Sequence, residues 1–203
     1  MGIILGTIGA IVAAATTVAK ALAIVGLAVQ GLNKIGNILL SLGKALGLIK
    51  KETKIDELGD KAIQSGYKPE DFNSYTEYVK AVENFELDAE KSKKISEEDK
   101  IKKGMELSAG AIIESFNDFP IQDFCIEIGK NPEYFTPEKM EEIAKLIKEN
   151  GNYIPSILNY VNGTEKDELK LQKTIDTLVS VEKHANPSIS DKDALKNALQ
   201  ARR

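Results

Sequence analysis

The first fifty residues contain no aspartate, no glutamate and no aromatic side chain, and their only charges are Lys20, Lys34, Lys44 and Lys50. Water is a poor solvent for so much apolar surface, so this segment must pack against protein or lipid. Its apolar residues recur at alternating spacings of three and four, which is the periodicity of one helix face. A single heptad register runs from end to end. Position a holds Ile4, Ile11, Val18, Val25, Leu32, Leu39 and Leu46, and position d holds Thr7, Ala14, Ala21, Ala28, Ile35, Leu42 and Ile49. The polar residues test the register better than the apolar ones. Thr16, Lys20, Gln30, Lys34, Asn37, Ser41, Lys44 and Lys51 all fall at c or f, the two outward positions, and Asn33 at b, Thr17 at g and Lys50 at e are the exceptions. The pattern therefore predicts a helix over 2–50, which as an unbroken rod measures about 73 Å.

Two polar positions in seven leave a face too broad for a two-stranded coiled coil and suited to a multi-helix assembly or to lipid. Glycine points the same way. Eight of the fifteen glycines lie in this segment, and each costs about 1 kcal/mol relative to alanine inside a helix. Close backbone approach offsets such a cost, and the pairs Gly2/Gly6 and Gly43/Gly47 have the GxxxG spacing that permits it. The residues expected at the assembly or membrane face are thus Gly2, Gly6, Ile11, Val18, Val25, Leu32, Ile35, Leu39, Leu42, Gly43, Leu46, Gly47 and Ile49. Lys20, Lys34, Asn37 and Lys44 form the expected polar face. Gly2 to Ala19 is an uncharged run of about 27 Å as helix, slightly short of a ~30 Å hydrocarbon core. It lacks the interfacial aromatic anchors of an ordinary spanning helix, which favours packing into an assembly over simple anchoring. In composition the segment resembles the Gly/Ala-rich termini of viral fusion and ejection proteins and of pore-forming peptides.

Beyond Lys51 the composition changes. Taking the four N-terminal lysines from the 27 basic residues leaves 23 against 31 acidic ones, so 51–203 carries a net charge of −8. That balance lacks the basic footprint of a nucleic-acid binder. Helix start and stop signals divide this acidic body into segments near 54–64, 74–86, 96–115, 118–128, 137–149, 156–161, 165–185 and 191–202. They include a capping box at Ser74–Glu77, Ser96 before three acids, Thr136-Pro137, Thr164 and Ser190. No window alternates with the two-residue period of a half-buried strand. The sequence thus predicts an all-α chain, a long hydrophobic N-terminal helix followed by a compact domain of about seven to eight short helices. The expected division is a Gly/Ala-rich arm, 1–51, and an acidic soluble domain, 52–203.

Catalytic patterns are missing. There is no Walker A sequence, no GxGxxG, no HExxH and no GxSxG, and no cofactor or metal site is expected. The single cysteine, Cys125, lies in an apolar stretch and reads as a buried small side chain. The single histidine, His184, falls in the last turn of a helix, where a cation complements the dipole. The opening residues lack the basic n-region of a secretory signal, and Met1-Gly2 misses the myristoylation pattern because Gly6 stands where a hydroxyl residue is required. The expectation is a non-enzymatic component of a larger device, such as a phage or virion ejection, secretion or pore-forming machine. It would be a homo-oligomer or pack with partner helices through 2–50. The alternative is a membrane-anchored adaptor whose helical domain binds a soluble partner.

Overall fold

The apolar N-terminus folds as two helices that turn back on each other. In the computed structural model, which describes residues 2–26, 28–116 and 119–202 and the side chains of the first helix from Ile8 onward, α1 spans Gly2–Gly26 and α2 spans Val29–Leu46. This corrects the unbroken rod over 2–50. Packing on the rest of the chain explains the break: Leu22 of α1 and Ile35 of α2 both lie against Gly129, although thirteen residues of straight helix would part them by about 20 Å.

Among the described residues nine more α-helices follow: α3 (Ile55–Ser65), α4 (Tyr75–Glu83), α5 (Ala89–Ser92), α6 (Glu97–Ser115), α7 (Ile121–Lys130), α8 (Pro137–Glu149), α9 (Tyr153–Val161), α10 (Glu168–Ala185) and α11 (Asp191–Gln200). A 3-10 turn at Pro69–Asp71 precedes α4, and there is no strand among the described residues. The chain is all-α, with a long apolar N-terminal helix ahead of a compact helical domain. Ser74, Ser96, Thr136 and Ser190 each accept a first-turn amide as their sequence context implies. Asp167, rather than Thr164, caps α10, because the Thr164 hydroxyl donates to the Asn159 carbonyl instead.

α6 is the central strut. α1, α2 and α3 all pack along it, and α2 also packs on α8 and α7. α1 runs antiparallel to α6, since Ala10, Ile11 and Ala14 lie near Ile113 while Lys20, Ala23 and Ile24 lie near Asp99–Glu106. Leu32, Ile35, Ile38, Leu39, Leu40 and Leu42 of α2 are buried in one continuous core with Ile101, Met105, Ile112, Phe124, Ile143 and Ile147 of the body. The expected boundary at Lys51 is therefore not a boundary in the packing: α2 lies inside the core that the acidic helices build.

Buried charges tie the elements together and each has partners. The carboxylate of Asp60 on α3 meets Lys100 of α6 at 2.8 Å and accepts from Gln64 and Ser92. Burial opposes its ionisation, but these donors outweigh that and hold its pKa below the ordinary value. Glu83 accepts the Lys50 amide at 2.9 Å and the Thr53 hydroxyl at 2.7 Å, which fixes the chain leaving α2 against α4. Glu182 of α10 pairs with Lys139 of α8 at 2.5 Å, and that ammonium lies 4.1 Å from the centre of the Tyr134 ring.

Candidate functional site: the outer face of the N-terminal helix

An amphipathic helix on a soluble domain keeps apolar residues inward and charged residues outward. α1 obeys only the first half of that rule. Ile8, Ile11, Ala15, Val18, Ala19 and Leu22 form its buried stripe. The opposite face is Gly9, Ala10, Ala13, Thr17, Lys20, Ile24 and Val25, all exposed, with a single charge among them. Ile24 is 74% exposed and Val25 38%. Only a third of the nineteen residues Ile8–Gly26 is buried inside the fold, and this helix is long and apolar enough to cross a membrane by length and composition.

Beside it runs an open groove of about 610 Å³ between α1, α3 and α6. Ala19, Ala23, Ile24 and Ile63 make it apolar, and Lys20, Asp99, Lys102, Lys103 and Glu106 form its polar edge. Lys102 and Lys103 are held by Glu98 and Glu106 on their own helix, at 2.5 and 2.8 Å. The groove extends the exposed apolar face of α1 onto Ile63, which is itself 40% exposed.

The residues expected at an assembly face are divided by the fold. Ile11 and Val18 are buried under α1, and Val25 is exposed at its end. Gly2 and Gly6 lie outside the described side chains. Leu32, Ile35, Leu39, Leu42, Gly43 and Ile49 are buried within this chain, and Leu46 is half-buried. The sequence places them against neighbouring copies, partner helices or lipid; in the structure the chain's own helices cover those that are buried. The Gly43/Gly47 pair has a local cause. Gly47 adopts φ 80° as the left-handed end of α2, with the Leu48 amide donating to the Gly43 carbonyl at 2.9 Å, a helix stop that suits glycine. Gly43 leaves space for Ile49, whose Cδ1 would lie 2.9 Å from a Cβ there. On the polar side Lys20 and Lys34 are exposed, and Asn37 and Lys44 are half-buried. Lys34 pairs with Glu133 at 2.5 Å.

Cys125 and His184 lie apart from this face and do not form a nucleophile–base pair. Cys125 is fully buried and its thiol is pushed up to about 12 by that burial, far from the thiolate a nucleophile requires. His184 is exposed, with Nδ1 3.4 Å from the Ser180 hydroxyl and 4.0 Å from Glu142. Both partners approach the same ring nitrogen, whereas a nucleophile–base–acid relay needs them on opposite nitrogens. No cluster of three metal-binding side chains occurs among the described residues. The signal that sequence reasoning missed is the difference between α1 and α2: both are apolar, but only α1 keeps an apolar face in solvent. Comparison with family models, curated proteins and solved structures finds no match for this chain.

Proposed function

We propose that this is a non-enzymatic, membrane-associating helical protein in which α1 is the membrane element and α2–α11 form the soluble body. The observation that carries this reading is the exposed apolar face of α1, a helix without an acidic residue that is only one-third buried. Apolar surface of this kind gains free energy on transfer to lipid, about 25 cal/mol per Å² removed from water. The burial of α2 moves the balance away from an assembly built through 2–50, because Leu32, Ile35, Leu39 and Leu42 are already enclosed. Pairing of inserted α1 helices from several copies, as in a pore, remains a second reading. It is favoured by the small side chains of Gly9, Ala10 and Ala13 on the outward face, which allow close helix approach in lipid.

The charge of the molecule defines the test. The chain carries −4 in total and α1 contributes only Lys20, which leaves −5 on the body; attraction to anionic headgroups is then not the driving force, so binding should depend on hydrocarbon rather than charge. Vesicle flotation of the full chain on zwitterionic and anionic liposomes, at low and high salt, is the experiment. Flotation on both, retained in high salt, is the expected result. A chain that stays at the bottom of every gradient, or floats only on anionic vesicles and is released by salt, would remove the reading.

A further inference from the structure

We propose that the bend between α1 and α2 is a switch: when α1 leaves the body, it straightens onto α2 as one continuous helix and carries the apolar segment outward. The trigger rests on the membrane reading above; the straightening rests on the geometry of the bend. Across this bend the sequence encodes a helix. The three–four register passes through residues 25–32 without interruption, there is no proline, and every polar position but Asn33 in 18–46 falls at c or f. The heptad register, though not the two glycines Gly26 and Gly31, thus disagrees with the folded shape here, and such conflicts mark strained or functional sites.

The start of α2 bears the mark of that conflict. Among the described residues, six of the nine helices after α2 begin on a Ser, Thr or Asp whose side chain accepts first-turn amides. α2 begins on Ala28, which has extended backbone at φ −137° and ψ 156° and offers no side-chain acceptor. In a continuous helix the amides of Val29, Gln30 and Gly31 would donate to the carbonyls of residues 25–27. Ala28 and Gln30 are exposed, so the α2 axis opens to solvent at this end. α2 itself is fixed by its burial against α3, α6, α7 and α8.

What holds the bend is tertiary. Leu22 and Ile35 share the space above Gly129, and Leu32 packs on Gly26. The backbones come so close that a Cβ on Gly31 would collide with the Gly26 carbonyl, a group that cannot move aside as a side chain can. Release of the buried stripe of α1 removes these contacts together. Straightened, the 25 residues of α1 extend about 37 Å from the end of α2.

The same details supply two opposed variants. Gly31→Ala obstructs the bend and is a better helix former. Val29→Pro suits the bend, since proline is favoured at the first helical position and requires an extended residue before it, which Ala28 is. In a continuous helix that proline would remove a hydrogen bond and clash with the preceding turn. The experiment places spin labels at Ala13→Cys and Asn33→Cys, both exposed, in the parent, Gly31→Ala and Val29→Pro chains; Cys125 is fully buried and escapes labelling. Twenty residues of straight helix separate the labels by about 30 Å, and the folded-back pair gives a shorter distance. Circular dichroism and thermal melting confirm that each variant is folded.

The expected result is a short distance for the parent in buffer and the rod distance on vesicles. Gly31→Ala should populate the rod distance even in detergent without vesicles. Val29→Pro should keep the short distance throughout and bind vesicles at least tenfold less. The switch is overturned if Gly31→Ala stays short and Val29→Pro lengthens on vesicles like the parent. A short distance in all three with flotation intact also overturns it while leaving the membrane reading in place. A rod distance for Gly31→Ala in detergent, with no flotation of any chain, upholds straightening and removes the membrane reading.

Discussion

Leu22→Ala should increase membrane binding although it removes a hydrophobic side chain from the membrane helix. Leu22 is fully buried and sits over Gly129, where the two N-terminal helices meet α7. Truncating such a leucine costs about 2–5 kcal/mol in a packed core. In the bilayer the same change forfeits no more than about 0.6 kcal/mol of favourable transfer. The difference, about 1.5–4.5 kcal/mol in favour of the membrane state, corresponds to roughly ten- to a thousandfold stronger partitioning at about 1.4 kcal/mol per tenfold. The assay is titration of liposomes into a fluorescently labelled chain, with the bound fraction read after sedimentation. General loosening must be separated from release of α1. Ile147→Ala serves for that, because Ile147 is equally buried but lies on α8; it should destabilise the fold without strengthening binding. If Leu22→Ala binds no better than the parent, or if Ile147→Ala binds as well as Leu22→Ala, the competition between docking and insertion is refuted.

Ile24→Asp should have the opposite profile. Its side chain is largely exposed, so stability should change by less than about 0.5 kcal/mol, whereas vesicle binding should fall severalfold, since a carboxylate costs about 2.5–3.5 kcal/mol at the centre of a spanning helix and less towards the end, where Ile24 lies. Truncation to 52–203 should give an aggregated or poorly folded product by circular dichroism and light scattering, because the α2 side chains from Leu32 to Leu42 complete the core; a chain starting at Ala28 should retain a cooperative melt. Acid should weaken the Asp60 network. A carboxyl whose folded pKa is depressed contributes stability that is complete above its unfolded value near ~3.9 and is lost as pH falls through the lower folded value. Urea unfolding at pH 7 and pH 3 should therefore show a smaller acid loss in Asp60→Asn than in the parent.

Much of the body is legible in the sequence because its helices announce their own ends. Ser74, Ser96, Thr136 and Ser190 are local signals, and each caps the helix it precedes. The single-turn α5 escaped, although Asp88 accepts amides from Glu90 and Lys91 at its start, because four residues carry no periodicity. The bend after Gly26 left no such mark. Periodicity says that Ile35, Leu39 and Leu42 are buried; it does not say against what, and an intermolecular partner fits the pattern as well as α6 and α8 do. Gly26 and Gly31 were the available clue, five residues apart on either side of the turn. Their close approach depends on Leu22, Ile35 and Gly129 meeting across more than a hundred residues, a long-range fact that no local window holds. The outward face of α1 was hidden for the same reason: its exposure depends on which helices cover it.

Whether α1 enters the bilayer is tested most directly by the depth of a probe on its outer face. An environment-sensitive fluorophore at Ala13→Cys, which is exposed in the folded chain, should shift to the blue on adding vesicles and be quenched by lipids carrying a quencher deep in the acyl chains. A control probe at the exposed Lys173 of α10 should remain in water. If the Ala13→Cys probe stays water-exposed on vesicles, or if both probes respond alike, α1 is not the membrane element.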